Sequence, residues 1–145
     1  MAEKKPQTFA NHGRVDPLHQ FFVLPIFGLS VIWSVIHFIR HPGVPSAVAF
    51  VVLTAATVVA IKTRTYSLRV QDRVIRLEER LRLATVLSEP LRSRIPELTE
   101  TQLIGLRFAP DAELPGLCQQ ALSQNLSRTD IKKSIQNWRP DYWRV

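Results

Sequence analysis

The chain has one cysteine, Cys118, among 145 residues, so no disulfide can form within it and no thiolate cluster can hold a metal. Its neighbours Leu117 and Leu122 point to a small buried apolar side chain. Acidic residues are also missing where they would matter most. Between Pro17 and Ile61 there is no Asp or Glu, and Arg40 is the only charged side chain. With no carboxylate in that stretch, a proton or cation path through this chain alone has nothing to run on. The catalytic signatures are absent as well: no phosphate-cradling loop, no dinucleotide glycine fingerprint, no nucleophile elbow and no His-Glu-x-x-His. The sequence reads as a non-enzyme, with no cofactor or metal implied.

A mean hydropathy of zero conceals a segregated chain. Residues 18–39 (LHQFFVLPIFGLSVIWSVIHFI) and 45–61 (PSAVAFVVLTAATVVAI) are uncharged runs. About 20 residues of helix cross a bilayer core. Asp16 and Pro17 suit an N-cap and first helical position, while Arg40-His41-Pro42-Gly43 ends the first helix. Pro25 should kink that helix, which membrane spans tolerate. The short connection makes the two runs antiparallel neighbours. Ser30 and Ser34 on the first, with Ala49, Ala56 and Ala60 on the second, offer small residues for close packing.

The fold expected is therefore all-α: an integral membrane hairpin of two transmembrane helices, continuing into a long amphipathic helix and short cytoplasmic helices. Residues 1–16 read as an N-terminal arm, 17–61 as the hairpin and 62–145 as a basic helical region. The formal net charge is +7. Lys4, Lys5 and Arg14 precede the first run, and Lys62, Arg64, Arg69, Arg73 and Arg76 follow the second. The loop carries Arg40 alone. The positive-inside rule then puts both termini in the cytoplasm and the protein in the inner, cytoplasmic membrane, its basic region beside anionic lipid.

Nothing breaks the helix after Ile61 until Pro90, and Lys62 to Glu89 holds no glycine. Val70, Val74, Leu77, Leu81 and Ala84 are spaced four, three, four, three, a brief coiled-coil-like seam for later helices or a second copy to cover. Asp72 with Arg76, and Glu78 with Arg82, form favourable pairs one turn apart. Beyond it, Thr99 with Gln102 suggests a capping box, Asp111 a cap for a helix towards Gln124, and Ser127 the start of a last helix ending near Trp138.

Two further constellations point to ligands. His19 and His37 lie 18 residues apart, hence on one helix face about 27 Å apart. That is the arrangement of a helix binding haems or pigments at two depths, but Pro25 disturbs the register and no histidine elsewhere in the spans completes a bis-histidine ligand set within one chain. Residues 117–138 loosely resemble a helix-turn-helix, with Ala121, Asn125, Leu126 and Ile131 near packing positions and Arg128, Lys132 and Lys133 available to phosphates. The turn lacks glycine, and nucleic acid is the less favoured partner.

The N-terminal NHGRVDPLHQFFVLP, the RHPG turn and the C-terminal IQNWRPDYWRV resemble an uncharacterised bacterial family of small two-span membrane proteins. The resemblance implies a bacterial, membrane-embedded protein and transfers no catalytic residue. By motif alone, Asn11, His12, Arg14, Asp16, Asn137, Trp138, Arg139, Tyr142, Arg144 and Val145 are interaction candidates, and both motifs fall on the cytoplasmic side, where they could meet through Arg14 and Asp141. The tail could lie at lipid headgroups, dock on a protein or close over the short helices. The function expected is a non-catalytic accessory or scaffolding protein that joins a larger membrane complex or self-associates. The alternatives are a haem- or pigment-bearing subunit of a respiratory or photosynthetic complex, and a membrane-tethered nucleic-acid binder.

Overall fold

A computed structural model describes residues 6–13 and 15–141. Among these the chain is all-helical, with no strand. Five α-helices follow one another: α1 (Leu24–Arg40), α2 (Val44–Val86), α3 (Glu100–Leu106), α4 (Leu114–Gln124) and α5 (Arg128–Ser134). A π-helical turn, His19–Val23, leads into α1, and a 3-10 segment, Arg92–Glu97, precedes α3. The chain divides into two compact units. Arg14–Arg69 make one; Met1–Gly13 and Val70–Arg144 make the other, and α2 contributes to both.

In the first unit, the Asp16 carboxylate accepts from the amides of Leu18 and His19 at 3.1 and 3.2 Å, which starts the helix. Proline at 25 brings no N–H and crowds the carbonyl one turn back. The turn before it is π-helical, with the Leu24 amide bonded to His19 O five residues earlier. A widened turn is one way a helix accommodates such a ring.

The two long apolar helices, His19–Arg40 and Val44–Val86, are long and apolar enough to cross a membrane. Their apolar windows are only 6% buried, so neither is the covered core helix of a soluble fold. Phe21, Leu29, Ile39 and Val59 stand 63–73% exposed at Val59, Leu29, Phe21 and Ile39 in rising order. The less exposed positions of the first helix include His19, Val23, Phe27, Ser30, Ser34 and His37; on α2 they include Ser46, Ala49, Leu53, Ala56 and Ala60. Both sets recur at three and four residues, so each is one face. Hydroxyls along α2 bond back into their own helix: Thr57 to Leu53 O, Thr63 to Val59 O and Ser67 to Thr63 O, at 2.8, 2.8 and 2.9 Å. Such back-bonding satisfies a donor without water. Ser46, buried at the loop, donates to His41 O and Gly43 O at 2.7 and 2.9 Å.

The second unit has a conventional core. Leu83 of α2 and Leu87, just past its end, pack with Leu98, Leu103, Leu106, Phe108, Leu114, Leu117, Cys118, Ala121 and Ile131. The buried stripe of α2 is Ile75, Glu79 and Leu83, continued by Leu87 just past the end of the helix. That differs from the seam expected on sequence, since Val70, Val74, Leu77 and Leu81 remain exposed and only Ala84 is partly covered. Four-residue spacing puts the buried stripe on a different face of α2 from the four-three seam, so the short helices reach one and leave the other open.

The ion pairs of α2 also differ from expectation. Arg76 bonds through Nε to the Asp72 backbone carbonyl at 3.2 Å, and its guanidinium pairs with Glu100. Arg82 turns to Glu79 at 3.3 Å and to Asp111 at 2.5 Å rather than to Glu78. Asp111 is thereby drawn away from capping α4, whose N-cap Glu113 makes no side-chain capping bond.

The Thr99–Gln102 capping box is present at the start of α3. Ser127 caps α5 by accepting from the Asp130 amide at 3.2 Å, but α5 stops at Ser134, short of Trp138. Between α4 and α5, Asn125 takes a left-handed conformation (φ 49°), and the Leu126 amide bonds back to Ala121 O at 3.3 Å. Asparagine tolerates that geometry better than a branched residue would. At Gly105 a Cβ would come within 3.3 Å of Arg128 O and of the Ile131 Cγ2, so glycine is what lets α3 and α5 approach.

Candidate functional site

The second unit brings the N-terminal arm onto the C-terminal segment. Phe108, wholly buried at the end of the α3 turn, is the platform. The His12 imidazole meets it edge-on at 5.5 Å between centroids, and the Trp138 indole lies 4.9 Å from it. His12 and Trp138 are themselves 5.4 Å apart. Three aromatic rings at such separations each contribute beyond their buried area. Cations frame them: the Arg107 guanidinium sits 4.4 Å and the Lys132 ammonium 5.0 Å from the Phe108 ring.

Polar bonds fasten both ends. The Gln7 amide donates to Asp141 O at 3.0 Å and accepts from the Asp141 N–H at 2.8 Å, a reciprocal pair. His12 Nε2 is 2.8 Å from Lys132 Nζ; with Lys132 charged, the ring nitrogen accepts. Asn11 holds the arm's own turn, its side chain accepting from the Thr8 amide at 2.6 Å and donating to Pro6 O at 2.9 Å. Asn137 is held from the other side: Glu113 accepts from the Asn137 amide and side chain and from the Gln136 amide, at 2.9–3.0 Å, the longest from Gln136 (3.0 Å). Burial alone would raise the Glu113 carboxyl, but these three bonds outweigh it and hold it below the ordinary range. The Arg139 amide donates to Phe108 O at 2.7 Å.

Beside this junction lies a charged cleft of about 480 Å³, lined in part by Ile75, Glu79, Arg107, Arg139 and Pro140. Glu79, 5% exposed, is its buried acid. Arg82 approaches Glu79 at 3.3 Å and Arg139 at 3.8 Å, while Arg107 Nε lies 3.5 Å from the Asp141 carboxylate. Burial pushes the Glu79 carboxyl up, opposed by the charges of Arg82, Arg139 and Arg107. Cys118, fully buried, has its thiol raised to about 12, chiefly by burial and further by the Glu79 charge, with Arg82 opposing. That removes it from nucleophilic chemistry at neutral pH.

The motif residues thus fall into three groups. His12, Asn137, Trp138 and Arg139 converge on the junction. Asn11 shapes the arm, and Asp16 caps a helix in the other unit. Arg14, Tyr142, Arg144 and Val145 lie outside the described residues; Asp141, expected opposite Arg14, bonds with Gln7 and Arg107. Gln7, Arg107, Phe108 and Glu113 were missed on sequence. An aromatic flanked by arginine at 107–108 was the only available signal, and it is a common one.

The histidines of the apolar helices are engaged otherwise. His19 Nε2 lies 3.2 Å from Ala60 O, which places the proton on Nε2 and ties that nitrogen to the backbone of the second apolar helix. His37 stacks on Trp33, centroids 5.0 Å apart and planes 10° apart, and neighbours His41 at 5.1 Å. Among the described residues no cluster of three metal-binding side chains occurs. Lys132, expected to reach a phosphate, is 5% exposed and turned onto Phe108 and His12, so the helix-turn-helix reading loses one of its three basic contacts.

A family model matches the full chain, residues 1–145. The chain belongs to DUF6526, a family of unknown function. No curated protein and no solved structure matches it. Membership agrees with the expectation of an uncharacterised family and assigns no chemistry to the junction.

Proposed function

We propose that this DUF6526 chain is a two-span protein of the cytoplasmic membrane whose helical hairpin anchors a cytoplasmic helical unit, and that it serves as a non-catalytic accessory or scaffolding subunit. The carrying observation is the exposure of two long apolar helices, of which only 6% of the spanning window is buried. Such surface is stable in lipid or against another membrane protein and not in water. The three-residue link His41-Pro42-Gly43 and the His19–Ala60 bond at the far end support the antiparallel arrangement. The excess of Lys and Arg after the second span supports cytoplasmic termini.

The scaffolding role follows from how the polar side chains of the second unit are used. Arg82, Glu79, Asp111, Arg139, Glu113 and Asn137 are tied to one another or to backbone, which positions segments. The basic outer surface suits anionic lipid or an acidic partner. Purification of the tagged full chain from its native membrane in mild detergent, with mass spectrometry and a visible spectrum, tests this. A stoichiometric partner or a homo-oligomer, colourless, is the expected result. A clean monomer overturns the accessory role, and a strong visible band transfers the function to a bound cofactor.

A further inference from the structure

On α2 the buried stripe is Ile75, Glu79 and Leu83, while Val70, Val74, Leu77 and Leu81 stand 61, 49, 60 and 62% exposed. Four large apolar side chains recurring at four and three residues form a coiled-coil seam that the second unit leaves open, with Val74 at the edge of the charged cleft. We infer that a second copy of this chain covers it, two α2 helices pairing in parallel through Val70, Val74, Leu77 and Leu81. The inference rests on the membrane-anchored reading, because copies inserted the same way round share an axis along the membrane normal and present parallel helices.

The flanking charges select this occupant. With Val74 and Leu81 at position a and Val70 and Leu77 at d, Arg73 falls at g and Glu78 at e. In a parallel pair each g side chain meets the e side chain five residues on in the partner, so Arg73 of each copy faces Glu78 of the other. Symmetry makes two such bonds. Among the described residues neither Arg73 nor Glu78 has an ion pair within the chain. The next g residue, Arg80, meets Thr85, and the preceding one, Tyr66, meets Gln71, so no like charges are opposed. An antiparallel pair would instead set g against g, bringing arginines together. The seam is short, but confinement of both copies to one membrane raises their effective concentration, as a linker would.

The test uses the full chain in its native membrane with a Leu77→Cys substitution, Cys118 being buried and silent. Facing d positions of a parallel pair come close enough for a disulfide on mild copper–phenanthroline oxidation. A covalent dimer is expected, and Gln120→Cys, exposed on α4, should stay monomeric. Arg73→Glu and Glu78→Arg should each cut the Leu77→Cys dimer yield at least threefold, and combining them should restore it. Continued protection of Cys118 from maleimide shows that each variant is folded; Val74→Cys serves if Leu77→Cys is not. Dimer no more abundant than with Gln120→Cys, in folded protein, overturns the pairing. If a different protein then co-purifies in fixed ratio, the accessory role survives without self-pairing. If a dimer forms while the loop and α4 label from the same side of the membrane, the pairing survives and the anchored reading fails.

Discussion

The His12 imidazole and the Trp138 indole lie 5.4 Å apart over Phe108, joining an arm before the first apolar helix to the segment after the last short one. Their contact couples the two ends of the chain energetically. Trp138→Ala should destabilise the unit by about 2–3 kcal/mol, below the range for a fully buried tryptophan because the indole is only partly covered. His12→Ala should cost less. A double-mutant cycle read by chemical denaturation should return a coupling of about 0.5–1.5 kcal/mol; strict additivity would show that the rings do not support each other.

Glu79 and Glu113 predict opposite pH dependences. The Glu79 carboxyl is raised in the fold, so between its ordinary and raised values the native state holds the extra proton. Its contribution to stability therefore falls as pH rises through that window. Glu113 is lowered, and its contribution, complete above the ordinary carboxylate range, is lost as pH falls through the folded value. Denaturation midpoints across the acid range should show Glu79→Gln flattening the first slope and Glu113→Gln the second. An unchanged profile in either variant would remove that residue from the account.

Two glycines should respond with opposite sign. At Gly105 a methyl group meets Arg128 O and Ile131 Cγ2 at 3.3 Å, and overpacking of that kind costs about 1–3 kcal/mol. Alanine's better helix propensity returns less than about 1 kcal/mol, so Gly105→Ala should be net destabilising. Gly116 in α4 has nothing within 4 Å of its would-be Cβ, and Gly116→Ala should stabilise by about 0.5–1 kcal/mol. Midpoint shifts in the same direction for both would contradict the packing described between α3 and α5.

Cys118 should be inert while the unit is folded. With the thiol fully buried and raised to about 12, maleimide at neutral pH should label it only after denaturation. Labelling of the native protein at the rate of a free thiol would mean that α4 is not packed as described.

Much of the architecture was legible because single residues carry it. Asp16, the Thr99–Gln102 pair and Ser127 announce helix starts through local hydrogen bonds, and the two uncharged runs announce the apolar helices through composition alone. The buried face of α2 was not legible. Val70, Val74, Leu77 and Leu81 make the stronger apolar pattern, whereas the face that enters the core includes the charged Glu79. That choice depends on where α3, α4 and α5 return, which periodicity does not encode. Asp111 and Arg82 mislead for the same reason: each has a plausible local role, and they pair with each other across a long stretch of chain. At the junction the terminal motifs drew attention to His12 and Trp138, but Phe108, on which both rest, looks in sequence like any core aromatic.

The most direct test of the anchored hairpin is the sidedness of two exposed positions. Gly43→Cys, in the link between the long helices, and Gln120→Cys, on α4, are introduced separately into the full chain in cells, with Cys118 silent. A membrane-impermeant maleimide should label Gly43→Cys in intact cells and Gln120→Cys only after the inner membrane is permeabilised. Labelling of both positions from the same side, or release of the protein from membranes by alkaline carbonate, would contradict the account.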